Sequence, residues 1–165
     1  MLSNYVLPTT ASGAGTIDRK ALTAAVINNP TKIYDGSTAA TLTGANFQLG
    51  GFITGEGATV TETNGTYDQA NAGARTVTVA LGAGDFSASS GTLLSNYVLP
   101  TTAAGAGTID RKALIAAIIN DPTKIYDGLT DASLTSANYE LTGFVGSQGA
   151  TVNPTDGDHG SAHAG

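Results

Sequence analysis

Two carboxylates sit in the same three-residue setting, Tyr34-Asp35-Gly36 and Tyr126-Asp127-Gly128. In such a triplet the aspartate accepts hydrogen bonds from amides ahead of it, the glycine supplies a positive φ, and the tyrosine packs its ring with the hydroxyl at the edge. This reads as a tight structural turn. The alternative is that Asp35 and Asp127 coordinate calcium or contact a sugar. Glu62, Asp68 and Asp85 are the acids that could pair as a glycosidase dyad, but no motif surrounds them and solvation at the surface explains them. Asp156-Gly157-Asp158 resembles the opening of a calcium loop without the later acids that would complete the shell.

Histidine occurs only at His159 and His163. Their spacing suits a zinc pair on a helix, yet Gly157, Gly160 and Gly165 argue against a helix there. With no cysteine anywhere, a Cys-His nucleophile, a disulfide and a cysteine zinc site are all excluded. Gly13-Ala14-Gly15 and Gly82-Ala83-Gly84 begin like a dinucleotide fingerprint but lack its third glycine and its βαβ setting, so they read as turns. The expectation is a protein that is not an enzyme, with no catalytic residue and no cofactor.

The charge balance narrows the partners. Seven basic residues are scattered against 13 acidic ones, a net charge of -6, which disfavours nucleic acid. No apolar run is long enough for a membrane helix, and residues 1–4 do not resemble a signal peptide, so an export signal is expected outside this segment.

The elements that must hold these residues are repeated. Ser3-Asn4-Tyr5-Val6-Leu7-Pro8-Thr9-Thr10 returns unchanged 92 residues later, starting at Ser95. Residues 15–22 match 107–114, residues 30–36 match 122–128, and residues 57–60 match 149–152. The chain therefore reads as the final strands of an upstream repeat (1–22), one complete repeat (23–114), and the first part of a downstream repeat (115–165).

Within the complete repeat, the alternation of residues 75–81 predicts a strand with Val77, Val79 and Leu81 on one face. Residues 58–63 predict a second strand closed by an Asn64-Gly65 turn, residues 47–53 a third broken at Gly50-Gly51, and residues 96–99 a fourth stopped by Pro100. Residues 19–27 fit either a short helix or a strand, and the β-branched character of residues 115–119 favours the strand. Val60, Val77, Val79, Leu81, Tyr97 and Leu99 are the expected core. The expected fold is all-β: tandem Ig-like antiparallel β-sandwich repeats forming a rod or filament, with a β-grasp-like α+β repeat as the alternative.

Lys32-Ile33-Tyr34-Asp35-Gly36-Ser37-Thr38-Ala39-Ala40-Thr41-Leu42, with Asn71-Ala72-Gly73, Ser95-Asn96-Tyr97, Gly107-Thr108-Ile109 and Lys112-Ala113-Leu114, resembles the YDG repeat of filamentous-haemagglutinin-like bacterial surface adhesins. The second copy drifts at Asp127-Gly128-Leu129-Thr130-Asp131 and departs further at Asp158-His159-Gly160. The resemblance implies an extracellular protein at the cell surface of a Gram-negative bacterium, exported through a partner outer-membrane pore, with the repeats building a stalk or filament for attachment or biofilm cohesion. It implies neighbouring repeats or identical chains end to end as partners, and no catalytic or ligand residues. The alternative function is a repeat that itself binds host or matrix glycans through multivalency.

Overall fold

The computed structural model describes residues 1–153 and 157–161. Short runs of β-branched and small residues, cut by glycine and asparagine, yield short strands. They are β1 (Lys20–Ala21), β2 (Thr23–Val26), β3 (Thr31–Ile33), β4 (Ala39–Thr41), β5 (Phe47–Gly50), β6 (Ala58–Val60), β7 (Asn64–Tyr67), β8 (Gly73–Ala80), β9 (Phe86–Ala88), β10 (Tyr97–Val98) and β11 (Thr102–Asp110). Further on come β12 (Ile115–Ile118), β13 (Asp131–Ala132), β14 (Tyr139–Thr142) and β15 (Gly157–Asp158). Three-residue 3-10 turns are the only helices among the described residues, as an all-β fold requires. Residues 19–27 accordingly carry β1 and β2 and no helix.

The main sheet runs β4-β7-β8-β11-β2-β5, with β3 also on β11. Its spine is β11 antiparallel to β8, from Thr102↔Ala80 to Ile109↔Gly73. On its other side β11 runs parallel to β2 and then β3, and β1 runs parallel to β10. The expected antiparallel pairing holds in the other ladders and is corrected at these three, which are parallel. Some seventy residues of chain separate β3 from β11, a connection long enough to bring the last strand back alongside the first in the same direction.

Alternation places Val77 and Val79 under the sheet at 0 % exposure, with Val60, Leu81 and Tyr97 also buried and Leu99 half-buried against them. Val60 of β6 and Phe86 of β9 reach this same core from a separate two-stranded ladder. Asn64-Gly65, expected as a turn, lies instead inside β7. The turn falls earlier because the Glu62 carboxylate accepts the amides of Thr63 (2.8 Å) and Asn64 (2.7 Å). Gly65 serves packing rather than turning: a Cβ there would lie 2.7 Å from Leu42 Cδ1.

Beyond β11 the early ladders recur 92 residues on. β12 pairs β14 from Ile115↔Thr142, the register of Thr23↔Gly50 between β2 and β5. β13 pairs β15 at Asp131↔Asp158, the register of Ala39↔Thr66 between β4 and β7. Left-handed Asn28 and Asn120 (φ 60° and 64°) each donate a side-chain N–H to a backbone carbonyl, of Ala45 and Ala137 respectively, at 2.8 Å.

Candidate functional site at the Tyr-Asp-Gly turn

Strand β3 ends where the Tyr34 amide donates to the Asp110 carbonyl at 2.8 Å, so the turn leaves the sheet at the last residue of β11. Asp35 Oδ1 then accepts three bonds: from the Ser37 amide (2.9 Å), the Ser37 hydroxyl (3.0 Å) and Lys32 Nζ (2.7 Å). Gly36 takes φ +80°, a conformation that strains other residues. Lys32 is the organiser. Its ammonium also donates to the Ser37 carbonyl (2.8 Å) and lies 5.6 Å from the centre of the Tyr67 ring. The buried Tyr67 hydroxyl in turn donates to the Pro30 carbonyl at 2.9 Å, tying the start of β3 to β7. Burial pushes the Tyr67 phenol up, with the charge of Asp110 adding to it.

The hydrogen bond from Lys32, followed by those from Ser37, lowers Asp35 to about 2. A carboxylate depressed on folding contributes stability above its ordinary value near 3.8, and that contribution disappears as the pH falls toward 2. Because Asp35 is exposed, the effect on stability is small and screened by salt, and titration is the sharper readout. Carboxyl NMR should place the Asp35 midpoint near 2, and Lys32→Met should move it upward. An unchanged midpoint in that variant would show that Lys32 does not hold the turn.

The second turn repeats the first: Lys124 Nζ meets Asp127 Oδ1 at 2.8 Å, Leu129 donates its amide to the same oxygen at 3.0 Å, and Gly128 has φ +82°. Asp127 is held below the usual carboxylate range, chiefly by Lys124. Residues 123–125 form no strand there, so the turn forms without the sheet that flanks the first one.

What distinguishes the first turn is its neighbour. The Tyr34 hydroxyl accepts a bond from Gln148 Nε2 at 2.6 Å, across 114 residues of sequence, and a Cβ on Gly36 would lie 3.1 Å from Val145. Around this contact a cavity of about 360 Å³ is lined by residues of both copies, among them Tyr34, Asn71, Arg111, Lys112, Phe144 and Gln148. The residue equivalent to Gln148 in the complete repeat is Glu56, which accepts the Tyr97 hydroxyl at 2.7 Å, beside a Phe52–Tyr97 edge contact of 5.0 Å. That bond pushes the Tyr97 phenol up.

The other candidate acids bond within their own loops. Glu62 caps its turn, Asp85 Oδ2 accepts the Gly82 amide at 2.6 Å, and Asp68 Oδ1 accepts the Thr76 amide at 3.2 Å. Among the described residues no three His, Cys, Asp or Glu side chains gather as a metal site. Asp156 and His163 lie outside the described residues, while the His159 amide donates to the Thr130 carbonyl at 2.6 Å. Lys32 and Lys112 enter the sequence reading only within the family resemblance, with no role, and Arg111 and Gln148 not at all. The Lys-x-x-Asp spacing in both copies was a usable signal for Lys32; nothing local marks Gln148.

Strands without a long helix, organised about a lysine-held Tyr-Asp-Gly turn, define an all-β module of the kind this turn names. The chain belongs to the YDG domain family, whose model matches residues 18–104. No curated protein and no solved structure matches it.

Proposed function

We propose that this chain is a segment of the stalk or filament of an extracellular adhesin at the cell surface of a Gram-negative bacterium. Its Ig-like sandwich repeats abut in tandem and serve attachment or biofilm cohesion without catalysis. The observation that carries the reading is the junction. The turn that names the family touches the following copy through the Tyr34–Gln148 hydrogen bond, Val145 lies so near that a Cβ added to Gly36 would be 3.1 Å from it, and only four residues separate β11 from β12. A short connection with side-chain contact across it makes a stiff joint, whereas a long polar linker would make a loose one. The sandwich reading draws on Val60 and Phe86, which close the core from the β6–β9 ladder. In this reading residues 1–22 carry the sequence of one repeat's final strands, 23–114 that of a whole repeat and 115–165 that of the front of the next.

The test is small-angle scattering on this chain extended to several repeats. The longest dimension should grow in proportion to repeat number, and Tyr34→Phe with Gln148→Ala should shorten the persistence of the rod while leaving the melting midpoint of each repeat in place. Dimensions that scale as a flexible chain in the unsubstituted protein would sink the stalk reading.

A further inference from the structure

Of the seven cationic residues, Lys32 and Lys124 are spent on Asp35 and Asp127, and Arg75 donates to the carbonyls of Asn71, Ala72 and Ala74. The remaining four, Arg19, Lys20, Arg111 and Lys112, are exposed and make no ion pair or side-chain hydrogen bond among the described residues, and of these Arg111 and Lys112 line the junction cavity. They stand next to each other in sequence on its wall, and among the described residues no aspartate or glutamate lines it. The rest of the wall supplies the half-buried rings of Tyr34 and Phe144 and the amides of Asn71 and Gln148. At about 360 Å³ it falls at the small end of ligand clefts.

We propose that this junction cavity is a binding site for a carboxylated sugar. The cations pair with the carboxylate, the amides bond to ring hydroxyls, and the rings cover the apolar faces of the sugar. A long polyanion is disfavoured by the net charge of -6, so the ligand carries its carboxylate on an otherwise neutral oligosaccharide. The site rests on the abutting repeats described above, since Tyr34 and Asn71 come from one copy and Phe144 and Gln148 from the next. Repetition along a stalk would then multiply a weak contact into avidity.

Calorimetric titration of the whole chain with sialyllactose, with a glucuronate-capped oligosaccharide and with neutral lactose tests this and separates the two acidic sources. At least one acidic sugar should bind at least about tenfold more tightly than lactose, and more weakly as salt rises. The double variant Arg111→Gln, Lys112→Gln should lose that binding with an unchanged melting midpoint. Arg19→Gln with Lys20→Gln, the equivalent pair that does not line the cavity, should retain it. The proposal is overturned if neither acidic sugar binds, if lactose binds equally, or if the 111/112 variant binds like the parent. Failure here with proportional growth of the rod in scattering would leave the stalk reading intact. A flexible chain in scattering would remove both.

Discussion

Gly105→Ala should destabilise the folded repeat by about 3 kcal/mol or more, while Gly13→Ala, in an almost identical stretch of sequence, should stay within about 0.5 kcal/mol of the parent. Residues 10–18 and 102–110 differ only at Ser12 and Ala104, so composition predicts no difference between the two glycines. Their surroundings decide it. Gly105 lies inside β11, opposite Val77 of β8, and a Cβ there would collide with the Val26 carbonyl oxygen and come within 2.8 Å of its carbon. Both obstacles are backbone, so no rotamer change relieves them, and the parallel approach of β2 to β11 would have to open. Among the described residues, nothing beyond its chain neighbours lies within 4 Å of a Cβ added at Gly13. Parallel thermal and urea melts of the two variants check this. Equal midpoints would show that β2 does not pack on β11 as described.

The same pair of segments shows how far sequence could carry the fold. Residues 102–110 are a strand because β8 and β2 lie on either side of them, and Ile109 is 1 % exposed. Residues 10–18 have no such partner among the described residues, form no strand, and leave Ile17 99 % exposed. Likewise Tyr97 is 4 % exposed and its copy Tyr5 73 %. A run rich in glycine and alanine has too little intrinsic strand preference to declare itself, and pairing decides its state. Where alternation was strong, as in Thr76-Val77-Thr78-Val79, strand and buried face could both be read directly. Asn64-Gly65 misled because the hairpin signal is statistical, whereas here Leu42, Val77 and Val79 crowd position 65 and demand a glycine for packing. The Tyr-Asp-Gly turn was legible for the opposite reason. Its bonds span at most five residues, from Lys32 to Ser37, so local sequence contains them, while its docking on Gln148 depends on how two copies meet.

Val79→Asp should abolish the cooperative fold of the complete repeat at neutral pH, at a cost of about 4 kcal/mol or more. Val79 is fully buried in β8, opposite Ala103 of β11, and faces a core of Val60, Leu81 and Phe86 among others. The core residues around it are aliphatic or aromatic, and among the described residues no buried cation stands ready to pair with a new carboxylate. The variant must therefore unfold or fold with the acid protonated, which raises the folded-state pKa above the unfolded value of about 3.9. For an acid shifted in that direction, the penalty shrinks as the pH falls toward the unfolded value. Partial refolding on acidification from about pH 7 to about pH 5 is thus the specific signature. This window lies above the one in which Asp35 is protonated, so loss of the turn does not obscure it. Far-ultraviolet dichroism and chemical denaturation at the two pH values measure the effect, with Val79→Thr as a comparison that carries a hydroxyl and no charge. A Val79→Asp protein that melts like the parent at neutral pH would place residue 79 at the surface and refute the core described for β8.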